Sequence, residues 1–312
     1  MPTRAIIELA NTCNLDCPMC RVGQHGVNFN RVMPLATFRR IADEFFSDFT
    51  EVRLNGLGES TLIPDFDRYL DILASYPINV ELITNGTGPE RLYRRMVDSG
   101  ATLLFSWDAA TPELFATLRR PAALHDVRAI VQSVASHAAA AGRSQLLHLL
   151  FTLLPANIHE LAAVVALAAD MGIPTLVVNV AKLPDDQWME RRADDCLQAF
   201  TDADDAATRC GVRLFLPDTF AQRAVSLPSA SPTAATRCDR PWREIVIRWD
   251  LDVQVCNMFN PYTYGNLSRA PLRSIWEGAF ADAFRQNFKG PACHPYCRGC
   301  AYIGDVYARK QG

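Results

Sequence analysis

Along the first two-thirds of the chain, short apolar runs alternate with longer stretches in which apolar residues recur every three or four positions. The runs at residues 5–9, 51–54, 80–83, 103–107, 147–153 and 175–179 are rich in β-branched or aromatic side chains and predict strands. Between them, residues 35–46, 66–75, 89–99, 112–118, 124–141 and 158–171 carry the helical period. Thr111-Pro112-Glu113 and Asn157 are helix start signals, and Gly100, Gly142 and Gly172 close three of the helices. Strand and helix in regular alternation imply a parallel sheet covered by helices. Six such units predict an α/β fold, a partial (β/α)6 TIM-like barrel, with ligands at the C-terminal ends of its strands.

The remaining third follows a different pattern. Residues 183–204 are polar and acidic and predict a helix, and 212–216 predict a further strand. Residues 226–236 form a Ser/Pro/Ala linker, which sets a boundary between a barrel at 1–225 and a small cysteine-rich hairpin and helix domain at 226–312. Within that domain, 244–249 and 253–256 read as a hairpin turning at 250–252, and 272–288 as one helix. The last segment is short, rich in Gly, Pro and Cys, and cannot bury much core. Something other than packing is expected to hold it.

Composition narrows the function. The chain has 312 residues, 49% apolar and 21% charged, enough for a packed core. A formal net charge of -3 provides no basic excess for nucleic-acid backbones or anionic membranes. No run reaches the length of a membrane-spanning helix, and the N-terminus lacks the apolar stretch of a signal peptide, so a cytoplasmic location is expected. Ten cysteines are then unexpected as disulfides and point to metal or redox chemistry. Cys196 and Cys210 stand alone and read as small apolar residues. The other eight fall in two groups, at 13, 17 and 20 and at 238, 256, 293, 297 and 300.

The first group, Cys13-Asn14-Leu15-Asp16-Cys17-Pro18-Met19-Cys20, follows the first strand directly. Three thiolates so close together can hold one iron–sulfur cubane and leave its fourth iron open to a small molecule. A zinc site completed by His25 is the alternative. A triad with this spacing, after strand one of a βα barrel, resembles the radical S-adenosylmethionine (SAM) enzymes. Further positions fit that resemblance in order. Gly56-Leu57-Gly58-Glu59 looks like the family's glycine–glutamate motif, which binds the methionine amino group, and Thr84-Asn85-Gly86 resembles its TNG turn. Ser106 and Asp108 resemble positions that approach the ribose, although ordinary strand-end caps would look the same. Asn157 and Asn179 are weaker matches, and Met19 stands where the family places a residue near the adenine. Arg119 and Arg120 read as a solvated helix end, or as groups reaching a carboxylate. The resemblance implies a [4Fe-4S] cluster held by Cys13, Cys17 and Cys20, with SAM as cofactor. Electron transfer to SAM from a donor such as flavodoxin or ferredoxin then gives methionine and a 5′-deoxyadenosyl radical, which takes hydrogen from carbon.

The second group resembles the auxiliary-cluster domains of radical SAM enzymes called SPASM and, in shortened form, twitch. Cys238-Asp239-Arg240-Pro241-Trp242, the hairpin ending in Val255-Cys256, Tyr264-Gly265-Asn266-Leu267, Ile275-Trp276 and Cys297-x2-Cys300 carry that resemblance. The full form needs seven cysteines; with five here, one auxiliary [4Fe-4S] cluster on Cys238, Cys256, Cys297 and Cys300 is implied, with structural zinc the alternative. Cys293 is then left over, as a replacement ligand, an unused thiol or a hydrogen-atom donor to a substrate radical. The expected substrate is a polar small molecule such as a sugar or aminocyclitol, oxidised at a carbinol carbon or epimerised; sugar-acid decarboxylation and peptide maturation are the alternatives. Trp249, Tyr262, Tyr264, Tyr302 and Arg243 are candidate substrate contacts. No nucleic acid or membrane partner is expected.

Overall fold

The computed structural model describes residues 1–20, 30–181, 188–217, 239–256, 262–288 and 297. The expected strands and helices form in order. Strands β1 (Arg4–Ile7), β2 (Glu51–Leu54), β3 (Asn79–Thr84), β4 (Thr102–Ser106), β5 (Leu147–Leu153), β6 (Thr175–Val180) and β7 (Arg213–Phe215) lie side by side, every neighbouring pair parallel. Helices α1 (Leu35–Phe45), α2 (Phe66–Leu73), α3 (Glu90–Asp98), α4 (Pro112–Leu118), α5 (Leu124–Ala140) and α6 (Leu161–Asp170) connect them, and α7 (Trp188–Arg191) and α8 (Ala193–Cys210) lead to β7. Parallel strands joined by helices set all their C-terminal ends on one edge of the sheet.

The C-terminal hairpin extends the same sheet. After α9 (Arg240–Arg243), strand β8 (Glu244–Ile247) pairs in parallel with β1, Arg4 opposite Glu244 and Ile7 opposite Ile247. Strands β9 (Asp252–Gln254) and β10 (Thr263–Asn266) follow antiparallel, giving the order β10-β9-β8-β1-β2-β3-β4-β5-β6-β7. β10 was not read from the sequence as a strand. The expected helix at 272–288 is two, α10 (Leu272–Trp276) and α11 (Ala279–Phe288). Gly278, a poor helix residue, ends one hydrogen-bond ladder and starts the next: its N–H reaches Ile275 O at 3.4 Å and its carbonyl accepts from Asp282 N at 3.1 Å.

Alternation along the strands divides their side chains between two faces. Leu103, Phe105, Leu149, Phe151, Leu176 and Val178 join the large core under the helices. Leu104, Leu150 and Val177 form a separate small cluster with Ile83 and Phe215, inside the curve of the sheet. By the same alternation Arg4, Glu51, Arg53, Glu81 and Glu244 also face inward, towards the N-terminal end of the strands. There Arg4 Nη2 meets Glu51 Oε1 at 3.0 Å and Glu244 Oε2 at 4.0 Å, Arg53 pairs with Glu81, and Arg240 Nη1 meets Glu244 Oε1 at 3.5 Å. The charges balance, and they tie β1, β2 and β3 to the hairpin.

Burial works against the charge on Arg53, but Glu81, Glu244 and Glu51 hold its guanidinium protonated. Breaking such a pair strands the other charge, at a cost of about 3–5 kcal/mol. Arg53→Met is therefore expected to lower unfolding free energy by about that amount. The double variant Arg53→Met/Glu81→Leu should recover most of it, as read from denaturant midpoints. Equal losses in the single and double variants would show that the pair contributes nothing as a pair.

Candidate functional site

The C-terminal edge of the barrel brings together the loops after β1, β2, β3, β4 and β8. The β1 loop holds the cysteine motif. Cys17 is buried and Cys13 and Cys20 are half-buried. Burial pushes the Cys17 thiol up to about 11, with Arg119 pulling against it and Cys20, Asp108 and Cys13 adding to the rise. Burial raises Cys13 too, countered by the Leu15 amide, which donates to its sulfur at 3.4 Å. The three thiols are thus electrostatic neighbours, a soft donor set suited to an iron–sulfur cluster. His25, the alternative fourth ligand, lies outside the described residues, as do Cys238, Cys293, Cys300 and Tyr302.

The β2 loop lies directly on this motif. The Glu59 N–H donates to Thr12 O at 2.8 Å. A Cβ on Gly58 would lie 2.4 Å from Ala10 O, and one on Gly56 would lie 2.3 Å from Glu8 Cγ, so both glycines are required by close approach. The Glu59 side chain is 3% exposed. Its Oε1 accepts from Thr61 N (3.2 Å), Thr61 Oγ1 (2.7 Å) and Thr84 Oγ1 (2.9 Å), and its Oε2 from Asn85 N (2.7 Å). The sequence suggested that this motif meets an amino group; in the structure the carboxylate itself is taken up in fastening the β2 loop to the Thr84-Asn85-Gly86 turn. Burial raises its pKa, and the Asn85 amide and the two threonines oppose the rise. Asn85 in turn donates to Asn14 Oδ1 at 3.0 Å, and Asn14 to Thr87 Oγ1 at 2.9 Å, closing the β1 loop onto the β3 loop.

Ser106, at the end of β4, and Asn179, in β6, are half-buried on the inner face, and Met19 is half-buried in the turn of the cysteine motif. Asp108 is placed differently from the ribose contact suggested by the sequence. It is fully buried, with Oδ2 2.5 Å from Arg119 Nη2 and Oδ1 accepting from Thr152 N at 2.7 Å. Asn157, also buried, donates to Asp108 O at 2.9 Å. Arg119 is no solvated helix end: it is 8% exposed, and burial is outweighed by Asp108, Cys17 and Cys20, which keep it charged. Its Nε is buried without a hydrogen-bond partner among the described residues. Arg120 is exposed and clamps the same motif, its Nη2 3.0 Å from Asp16 Oδ2 and its carbonyl accepting from Asp16 N at 2.7 Å.

Two residues that sequence reasoning passed over complete the mouth. Glu8, 3% exposed, accepts from Leu57 N at 2.9 Å through Oε2, while its Oε1 lies 3.3 Å from Arg248 Nη2 at the end of β8. A carboxylate in an otherwise apolar strand just before the cysteine motif was the available signal. Arg243 lies at the opposite end of β8, exposed and paired with Asp239, so it does not reach the mouth. Trp249 follows Arg248 and is half-buried, and Tyr262 and Tyr264 pack with Phe284 beyond β9. Cys256, just past β9, and Cys297 are both partly buried against that core. Buried donors there, among them Tyr264 OH and Arg285 Nη2, have no acceptor among the described residues, as suits the surroundings of an anionic cluster.

Residues 7–168 match the Radical SAM superfamily, and residues 238–301 match SPASM, an iron-sulfur cluster-binding domain. No curated protein matches in sequence. Among solved structures, Streptococcus suis SuiB bound to S-adenosylmethionine has a TM-score of 0.73 at 16% identity, covering 97% of this chain and 73% of that one. Native anSMEcpe with bound AdoMet and Cp18Cys peptide has a TM-score of 0.69 at 16% identity, covering 97% and 87%. BtrN in complex with AdoMet and 2-DOIA has a TM-score of 0.51 at 15% identity, covering 93% and 87%. At these identities the likeness is one of fold.

Two substitutions test the site. Glu59→Gln must turn an amide NH2 towards a buried donor, which costs about 1–3 kcal/mol. A lower denaturation midpoint and weaker SAM binding by calorimetry are expected, at unchanged iron content. Arg119→Leu leaves Asp108 buried and unpaired, and should lower unfolding free energy by about 3–5 kcal/mol, with Asp108→Asn/Arg119→Leu recovering much of the loss. Unchanged midpoints would remove both residues from the framework of the mouth.

Proposed function

The chain belongs to the radical SAM superfamily, and from that premise we propose that it removes a hydrogen atom from carbon in a polar substrate held between the barrel mouth and the C-terminal segment. Its cofactors are SAM and two [4Fe-4S] clusters, one that binds SAM and one auxiliary. Together, when bound, they supply one-electron cleavage of SAM and the hydrogen abstraction that follows. Cys13, Cys17 and Cys20 hold the first cluster. The loop containing Gly56 and Gly58 receives the methionine amino group, with Glu59 positioning it through Thr61, Thr84 and Asn85. Met19 lies beside the adenine, and Ser106 and Asn179 face the ribose. Asp108 acts through Arg119. Cys238, Cys256, Cys297 and Cys300 hold the auxiliary cluster, and Cys293 is the hydrogen-atom donor if the product is an epimer. A flavodoxin or ferredoxin supplies the electron. No helix among the described residues is long and apolar enough to cross a membrane.

One observation carries the choice of substrate. Among the described residues, the inner face at the strand C-termini presents Glu8, Asn55, Ser106, Thr152, Asn179 and Arg248, and the two charges of this set are paired with each other. Such a lining supports a polar, hydroxyl-bearing ligand, hence dehydrogenation or epimerisation of a sugar or aminocyclitol. A second reading, maturation of a peptide, is favoured by the closer fold agreement with SuiB and anSMEcpe, structures of which carry a precursor peptide and the Cp18Cys peptide, than with BtrN.

Reduced holoenzyme with SAM, offered aminocyclitols and sugars in one series and peptides in another, separates the two. Formation of 5′-deoxyadenosine should rise with one class, and carbon-bound deuterium in that substrate should pass into it. If neither class raises 5′-deoxyadenosine above the substrate-free rate, the proposal fails. In D2O, one solvent deuteron on the product carbon indicates an epimerase, and its loss in Cys293→Ala gives that residue the donor role; a ketone with no such label indicates a dehydrogenase.

A further inference from the structure

Beside the C-terminal strands, two buried hydrogen-bond donors, one from β10 and one from α11, find no acceptor among the described residues, and Trp249 Nε1, just past β8, is a third. Tyr264, in β10, is 4% exposed, and its ring is enclosed by Tyr262, Trp276 and Phe284 at centroid distances of 6.5, 6.4 and 5.9 Å. Its hydroxyl is out of water and has no partner among the described residues. Arg285, from α11, lays its guanidinium on Trp276 at 4.1 Å and stands 6.0 Å from the Tyr264 ring. Its Nε donates to Pro241 O at 2.9 Å and its Nη1 to Asp282 Oδ1 at 3.1 Å, but its Nη2 is buried without an acceptor among the described residues. Leaving a buried donor unpaired is costly, more so when it is charged, and here two occur side by side in a well-packed aromatic nest.

Two cysteines, Cys256 and Cys297, stand near enough to Tyr264 to act on it electrostatically. Cys256 and Cys297 pack against the same core as Tyr264. A phenol out of water keeps its proton, so Tyr264, 4% exposed, is an O–H donor. Neither Tyr264 nor Arg285 can ligate iron in the manner of a thiolate. Both can donate to sulfur.

We propose that Tyr264 and Arg285 donate hydrogen bonds to the sulfurs of the auxiliary cluster that Cys256 and Cys297 help to hold, and so set its reduction potential. The assignment rests on the presence of that cluster. They act as positioning residues around it, not as ligands. Hydrogen bonds and positive charge at the sulfurs stabilise the more negative, reduced form, so the pair raises the potential and makes the cluster a better electron acceptor. That property suits a cluster which takes up the electron left by oxidation of a substrate radical.

The test uses full-length, anaerobically reconstituted protein in which Cys13, Cys17 and Cys20 are Ala, so that only the auxiliary cluster contributes a signal. Iron should stand near ~4 per chain in this parent and in its Tyr264→Phe derivative. At a fixed solution potential, Tyr264→Phe should lower the ratio of reduced to oxidised cluster about tenfold, ~59 mV for a one-electron couple. In D2O the reduced parent should show an exchangeable deuteron coupled to the cluster in pulsed electron resonance, and Tyr264→Phe should lose it. Arg285→Gln should move the potential in the same direction, and Arg285→Lys should move it less. An unchanged potential with the deuteron coupling retained in Tyr264→Phe, at full iron content, overturns the assignment. If Arg285→Gln does not fold, Tyr264→Phe decides alone, since it removes one oxygen. A parent that binds zinc and no iron refutes the auxiliary cluster itself, a failure distinct from an unmoved potential.

Discussion

The Glu59 carboxylate is sealed from water, and protein donors replace its hydration. They come from Thr61 in its own loop and from Thr84 and Asn85 in the next. A buried anion tolerates little displacement of its donors, because each lost bond leaves a charged acceptor unsatisfied. The β2 and β3 loops are therefore fixed to one another, and the Glu59 amide fixes both to the cysteine motif through Thr12. Asn14 and Asn85 repeat the connection from the other side. The carboxylate that the sequence marks as part of a ligand-binding motif also holds three loops in register.

The two ends of the barrel interior use charge differently. At the N-terminal end of the strands, Arg4, Glu51, Arg53, Glu81, Arg240 and Glu244 neutralise one another and fill the space. At the C-terminal end, Glu8 and Arg248 pair, and uncharged polar groups continue the lining. Between them Leu104, Leu150 and Val177 form an apolar layer that separates the two polar regions. The arrangement closes the floor and leaves polar contacts for the mouth.

Much of this was legible in the sequence because local signals and the fold agree. The period change between apolar runs and amphipathic stretches located the strands and helices, and the spacing of Cys13, Cys17 and Cys20 after the first strand located the site. Three things were not legible, each for a physical reason. β10 is short, with Gly265 and Asn266 at its end, so its pattern is that of a turn; it is a strand because β9 pairs with it. The burial of Arg119 depends on Asp108, which arrives from β4, and nothing in the run Leu118-Arg119-Arg120 signals that partner. The pairing of β8 with β1 joins residues from opposite ends of the chain, and periodicity carries no information about which strands become neighbours.

That last pairing bears on how the molecule comes to be folded. Opposite Arg4 stands Glu244, so one side of β1 stays unpaired until most of the chain has left the ribosome. Contacts of such sequence separation form slowly, and a strand that waits for them is an open template for pairing with other chains. Arg4 in that strand and Glu8 just past its end point to its inner face, where a foreign strand that carried no matching charges would have to bury them. Groups that later serve the floor and the mouth thus make β1 a poorer template for a foreign strand while it waits for its partner.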